Sequence, residues 1–171
     1  MTRPRILIAC IGNIFMGDDG FGTEVARQLA SRALPDEVRM VDFGIRGFDL
    51  AYALLDGYDV TIFVDATPRG GEPGTLYTIE PDLKELEDLD AQQMMVEPHG
   101  MNPLKVLSMV KAMGGEFNRI LLVGCEPATL GPEEGQMGLS EPVQAAVDEA
   151  ARLVESLVAG ILDGGRKSAV C

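Results

Sequence analysis

The chain of 171 residues has little of several residue types that commonly build functional sites. It contains one histidine, His99, and no tryptophan, and its three cysteines (Cys10, Cys125 and Cys171) lie far apart. A single imidazole excludes a metal site built from two or three histidines, and the cysteine spacing argues against a zinc ribbon or a disulfide framework. If the protein performs acid–base or metal chemistry, His99 and carboxylates are the candidate groups.

Positive charge is also scarce, because 14 Lys and Arg stand against 27 Asp and Glu, which gives a net charge of −13. Such a surface repels nucleic acid and anionic membranes, so neither is expected as a partner. The first apolar run is too short for a signal peptide or a membrane span. We therefore expect a cytoplasmic protein in a reducing compartment, with Cys10 and Cys125 as small core residues.

Short apolar runs alternate with helical patterns along the chain. The runs predict core strands at residues 6–11, 38–42, 60–65 and 120–125, and an edge strand at residues 75–79. Helices are predicted over residues 21–33 and 48–55, from Asn102-Pro103 onward, and after Ser140 as a cap. The alternation predicts an α/β domain over residues 1–163 with a mostly parallel sheet of about five strands covered on both sides, and a flexible tail over residues 164–171.

Carboxylates follow the ends of the predicted strands. In an open parallel sheet, ligands bind at the edge where the carboxyl ends of the strands meet. The set comprises Asp18, Asp19, Asp42, Asp65 and Glu126. This convergence indicates a site at that edge, although polar residues are common after strands in any protein. His99 precedes a predicted helix, where it is either a site residue or an ordinary surface histidine.

The glycine-rich loop after the first strand has the spacing of a phosphate-binding loop but not its chemistry. Gly12 and Gly17 have the Walker-A separation, yet Asp18 and Asp19 stand where Lys and Ser or Thr would be needed. Two carboxylates repel a phosphate, so we do not expect nucleotide binding. The glycines instead permit tight turns that bring Asp19 to the sheet edge.

An ordered set of short motifs along the chain resembles the hydrogenase maturation proteases, which trim the C-terminal extension of nickel–iron hydrogenase large subunits. The motifs are Gly12-Asn13, Asp18-Asp19-Gly20-x-Gly22, Val41-Asp42, Val64-Asp65-Ala66, Pro98-His99, Leu122-Val123-Gly124-x-x-Pro127 and Gly138-Leu139-Ser140. Each motif alone is weakly specific, whereas their order over nearly the whole chain is specific. The resemblance implies a three-layer αβα sandwich of the phosphorylase/hydrolase-like kind.

The resemblance also implies the site residues. By position, Asp19, Asp65 and His99 are metal-binding and catalytic, and Asp42 matches a further acidic position needed for function. The metal would be nickel carried by the hydrogenase large-subunit precursor, with no tightly bound resident cofactor in the protease, which is expected to be a monomer. Three N and O ligands with open positions make a weak metal site, which suits inspection of a metal held by another protein.

Two departures and two alternatives stand beside this prediction. Cys10 replaces a glycine common in the family, and Asp42-Phe43-Gly44-Ile45 replaces the usual Asp-Gly-Gly-Thr, so the second loop is the least secure part of the match. A small-molecule hydrolase or phosphorylase-like enzyme, or a non-catalytic nickel-sensing chaperone, are the alternatives. For a protease, water would be activated either by the metal or by a carboxylate as general base.

Overall fold

The computed structural model describes residues 3–82, 103–131 and 135–170. Within these ranges the chain forms five strands, four α-helices and a short 3-10 helix. Their bounds are β1 Ile6–Ile11, the 3-10 helix Gly17–Gly20, α1 Phe21–Ala30, β2 Val38–Gly44, α2 Gly47–Leu54, β3 Val60–Ala66, β4 Leu76–Ile79, α3 Pro103–Ala112, β5 Arg119–Cys125 and α4 Glu141–Val170.

The strands form one sheet in the order β2-β1-β3-β5-β4. β1, β2, β3 and β5 are parallel, and β4 pairs with β5 in the antiparallel direction. The four parallel strands and the antiparallel edge strand are confirmed as predicted. The carboxyl ends of the four parallel strands therefore lie at one edge of the sheet, which we call the carboxyl edge.

Each face of the sheet carries its own hydrophobic core, because successive side chains of a strand point to opposite faces. Ile6, Ile8 and Cys10 of β1 pack on one face with α1 and α4. Leu7, Ala9 and Ile11 pack on the other face with α2 and α3. This arrangement confirms the three-layer αβα architecture and explains why every residue of β1 is buried.

Two glycines allow the chain after β1 to pack directly against the sheet. A side chain at Gly12 would collide with the carbonyl oxygen of Asp19, since a Cβ atom would lie 2.0 Å from it. A Cβ atom at Gly22 would lie 2.2 Å from the carbonyl oxygen of Ile11 and 2.7 Å from that of Val64. Close backbone approach therefore holds the 3-10 helix and the start of α1 at the ends of β1 and β3.

The structure differs from the sequence predictions at two places. β2 continues past residue 42 to Gly44. Asp42 and Gly44 pair with two consecutive residues of β1, so Phe43 between them is the extra residue of a bulge. α4 continues to Val170 through the predicted tail, since extending an existing helix is easier than starting one. His99 and most of the acidic segment before it lie outside the described residues. Within the described ranges, no helix is both long and apolar enough to cross a membrane.

Candidate active site

Asp19 lies at the carboxyl edge, in the 3-10 helix between β1 and α1. Its side chain is half-buried, and its Oδ2 atom accepts a hydrogen bond of 2.9 Å from the backbone N–H of Asn13. The 3-10 helix also contacts β3, whose second-last residue is Asp65. The fold thus brings the loop of Asp19 to the end of the strand that carries Asp65, as the sequence predicts.

The neighbouring carboxylate, Asp18, has a different environment. Its side chain is fully buried and accepts hydrogen bonds of 2.7 to 3.1 Å from the backbone N–H groups of Ala128, Thr129 and Ser140 and from the Ser140 hydroxyl. Burial raises the pKa of Asp18, but these hydrogen bonds together lower it more, so the pKa lies below its ordinary value. Asp18 therefore joins the first loop to the segment between β5 and α4.

Ser140 has a second role besides the predicted one. It lies at the predicted cap position, because the last helix begins at the next residue, Glu141, and the carbonyl oxygen of Ser140 accepts the N–H of Gln144. Its hydroxyl in addition donates to Asp18. The motif around Ser140 thus serves the first loop as well as the helix.

Asp65 and Asp42 lie on opposite faces of the sheet. Asp65 shares its face with Phe63, which packs in the core under α2 and α3. Asp42 shares its face with Met40 and lies under α1, where its Oδ1 atom accepts a hydrogen bond of 3.3 Å from the Thr23 hydroxyl. The same Oδ1 atom also accepts the N–H of Gly44 at 3.0 Å. The structure places Asp42 at the carboxyl edge, but its side chain belongs to the α1 side.

Glu126 follows β5 and is buried beneath the loop after β3. It accepts hydrogen bonds of 2.7 to 3.1 Å from the backbone N–H groups of Arg69 and Gly71 and from the hydroxyl of Tyr77. Burial raises the pKa of Glu126, while these three donors and the charge of Arg69 lower it below its ordinary value. Glu126 lies at the predicted edge, but it connects loops rather than facing a substrate.

The position of α3 bears on His99, which precedes it in sequence. α3 begins at Pro103, as predicted, and leads toward the amino end of β5. Just past its end, a Cβ atom at Gly115 would lie 2.3 Å from Leu55, which follows α2 and precedes β3. The end of α3 therefore lies near the amino ends of the strands, and its first residue points back toward the carboxyl edge.

Neither of the two described cysteines, Cys10 and Cys125, is a nucleophile of this site. Cys10 and Cys125 are free and buried, as predicted. Burial, together with the charge of Asp42, raises the pKa of Cys10. Burial, with the nearby Asp18 and Glu126, raises the pKa of Cys125 to about 12. Both thiols are protonated at neutral pH and lack nucleophilic reactivity.

The described part of the chain holds no complete metal site. Within it, no three His, Cys, Asp or Glu side chains lie close enough together to hold a metal ion. The predicted set of Asp19, Asp65 and His99 includes a residue outside that part, so the set stays a prediction. Asp19 and Asp65, which carry oxygen ligands, are the two members the structure describes.

Three apolar side chains that the sequence did not predict as site residues are exposed near the carboxyl edge. Phe15 is 60% exposed, Phe48 is 71% exposed and Met137 is 65% exposed. The loop of Phe15 is joined to the segment of Met137 through hydrogen bonds with Gln136. Phe15 and Met137 stand near glycines outside the predicted helices and strands, which was the available sequence signal, whereas Phe48 begins the helix predicted over residues 48–55. Exposed apolar side chains beside a site are typical of a protein interface.

Comparison with known proteins decides the class of this site. Residues 23–157 match the family model described as hydrogenase maturation protease. This chain belongs to the hydrogenase maturation protease family. The hydrogenase expression/formation protein HoxM of Azotobacter vinelandii is 33% identical over 93% of this chain and 74% of its own length.

Solved structures agree with this assignment. The hydrogenase maturating endopeptidase HybD of Escherichia coli matches with a TM-score of 0.74 and 28% identity, over 91% of this chain and 93% of that one. The hydrogenase 2 maturation peptidase of Thaumarchaeota archaeon SCGC_AB-539-E09 matches with a TM-score of 0.66 and 34% identity, over 90% and 97%. This hydrogenase maturation protease is therefore a hydrolase of peptide bonds, which favours the predicted peptidase over a small-molecule enzyme.

Proposed function

We propose that this hydrogenase maturation protease removes the C-terminal extension of a nickel–iron hydrogenase large-subunit precursor after nickel insertion. The observation that carries the proposal is the placement of Asp19 and Asp65 at one edge of the sheet in a chain of this family. Both side chains are half-buried, so they are within reach of a docked protein while their surroundings limit water. None of the described residues that were predicted for the site lies at the opposite edge of the sheet, where the amino ends of the parallel strands meet.

The nickel in the substrate would serve as the recognition element. Asp19 and Asp65 supply hard oxygen ligands and His99 supplies a nitrogen, which is a donor set that borderline divalent metals accept. The start of α3 lies toward the carboxyl edge, and His99 precedes this helix in the sequence. Contact with a nickel already bound in the precursor would fix the scissile peptide bond beside the carboxylates.

For the chemical step, a carboxylate at this edge would take a proton from the attacking water as general base. The leaving amine of the extension then receives a proton as the peptide bond breaks. We assign no resident metal to the protein itself, either before or after the substrate binds, because the nickel belongs to the substrate. We also propose that it works as a monomer in the cytoplasm, where its two buried thiols remain reduced.

The test is cleavage of a purified precursor, prepared with and without nickel, followed by mass spectrometry. We expect loss of the extension from the nickel-loaded precursor and none from the nickel-free form. His99→Ala should abolish cleavage of the loaded form while the protein keeps its circular dichroism spectrum. Binding of the loaded precursor without any loss of mass would instead support a nickel-sensing chaperone.

A further inference from the structure

A groove lies between β2 and the exposed side of α2. It encloses about 550 Å³, a volume within the range of about 300 to 1,000 Å³ that is typical of ligand pockets. Val41 and Phe43 of β2 and Ala53 of α2 form its apolar floor. Tyr52, which is 60% exposed, and Leu55, which is 37% exposed, form its outer wall.

The strand beside this groove has an outer edge that no described strand covers, although the Val38 N–H at its start donates to the carbonyl oxygen of Pro35. β2 is the first strand of the sheet, and among the described strands it pairs with β1 alone. The carbonyl oxygen of Asp42 accepts a hydrogen bond of 2.7 Å from the Arg46 side chain, so it points away from β1. In a parallel strand alternate residues direct their backbone groups to the same side, so Met40 also directs its N–H and C=O outward.

The two arginine side chains that line the groove already have partners inside the protein. Arg39 donates to the hydroxyl of Tyr58 at 3.1 Å, and Arg46 forms an ion pair with Asp49 at 3.3 Å. A small anion would have to compete with these contacts for either guanidinium group. An apolar floor beside an open strand edge instead fits an extended peptide, which adds by backbone hydrogen bonds and inserts alternate side chains.

We propose that an extended segment of the hydrogenase precursor, adjoining its scissile bond, adds alongside the outer edge of β2. Its apolar side chains occupy the groove against Val41, Phe43 and Tyr52. This inference rests on the proposed function, and it names the surface that binds the substrate chain rather than the metal it carries.

The groove is continuous with the candidate active site. The carboxyl end of β2 is tied to the first loop, because the N–H of Gly12 donates to the carbonyl oxygen of Gly44 at 2.9 Å. Gly12 in turn contacts the backbone of Asp19. A segment that runs along β2 toward its carboxyl end therefore arrives at the edge that carries Asp19. The seven residues of β2 provide about 20 Å for this pairing.

Steady-state cleavage of the nickel-loaded precursor by Tyr52→Ala tests the proposal. Tyr52 is exposed, so its truncation should leave folding intact, and we expect KM to rise roughly tenfold with kcat unchanged, as for an aromatic anchor in an interface. Met113→Ala is the matched control, because Met113 is an exposed apolar residue after α3 that does not line the groove. An unchanged KM for Tyr52→Ala, or an equal rise in both variants, overturns the proposal.

A photo-crosslinking amino acid in place of Tyr52 gives a second readout that does not depend on kinetics. With the nickel-loaded precursor, we expect crosslinks to map by mass spectrometry to the segment next to the scissile bond. Crosslinks confined to other parts of the precursor, or none while cleavage proceeds, overturn the proposal and leave the protease function intact. If the wild-type protein cleaves no precursor, the proposed function itself is wrong.

Discussion

Asp18 and Asp19 are adjacent in the chain but have different roles in the structure. Asp18 is fully buried and accepts four hydrogen bonds from the segment between β5 and α4. Asp19 is half-buried at the carboxyl edge and accepts the N–H of Asn13. A buried carboxylate surrounded by backbone donors stabilises a loop, whereas a partly exposed carboxylate at the edge can be reached by a docked substrate.

The same contrast appears at the other end of the site, between Glu126 and Asp65. Glu126 is buried and connects Arg69, Gly71 and Tyr77. Asp65 is half-buried at the end of β3. Four of the five carboxylates at this edge thus form two pairs, and substitutions should separate the pairs. Asp18 and Glu126 are the structural pair, and Asp19 and Asp65 are the candidate catalytic pair.

The largest effect is expected from Asp65→Asn and Asp19→Asn. Each substitution keeps the side-chain shape but removes the charge that would bind nickel or accept a proton. We expect cleavage of the nickel-loaded precursor to fall at least about 100-fold, as for loss of a general base, with little change in the midpoint of thermal unfolding. Initial cleavage rates and a thermal melt on the same preparations check both parts.

A variant that loses stability and activity together would contradict the catalytic assignment of Asp19 or Asp65. In that case Asp19 or Asp65 would be structural like Asp18, and the division of the carboxylates into two pairs would be wrong.

The second effect concerns Asp18. Asp18→Ala removes the acceptor of three backbone N–H groups, and leaving buried donors unsatisfied costs about 1 to 3 kcal/mol each. With partial relaxation, we expect the free energy of unfolding to fall by about 3 kcal/mol in urea denaturation. Asp18→Asn retains an acceptor oxygen and serves as the control, so it should lose less. An unchanged unfolding free energy for Asp18→Ala would contradict the structural role.

The smallest effect is the pH dependence of stability. The pKa of Asp18 in the folded protein lies below its ordinary value of 3.8, so the unfolded chain takes up a proton first as the pH falls. The stabilisation from Asp18 is therefore complete above this ordinary value and declines as the pH falls through the lower, folded value. We expect the stability difference between wild type and Asp18→Asn to be constant well above pH 3.8 and to narrow as the pH falls below that value. A difference that stays constant as the pH falls below 3.8 would show that the charge of Asp18 contributes nothing.

Much of the fold could be predicted from the sequence because its signals are local. The apolar run at residues 6–11 and the β-branched run at residues 60–65 each became a buried strand. Strand ends then fixed which carboxylates meet at one edge. The extension of β2 could not be predicted in this way, because its bulge at Phe43 depends on pairing with β1.

The division of these carboxylates into structural and candidate catalytic residues could not be predicted from the sequence either. Asp18 and Asp19 have the same side chain, and only the segment at residues 128–140, distant in the chain, distinguishes them by its donors. The opposite orientations of Asp42 and Asp65 likewise follow from their strands' packing against α1 on one face and α2 and α3 on the other. The predicted role of Asp42 in function stays a prediction.

We propose that carboxylates at this edge bind the nickel of the substrate and so distinguish a loaded precursor from an empty one. This is tested by the ratio of kcat/KM for nickel-loaded over nickel-free precursor, determined for the wild-type protein and for Asp65→Asn. We expect a ratio of at least about 100 for the wild type and a ratio near one for the residual activity of the variant. Equal cleavage of both precursors by the wild type, or a slow variant that keeps the full ratio, would contradict the proposal.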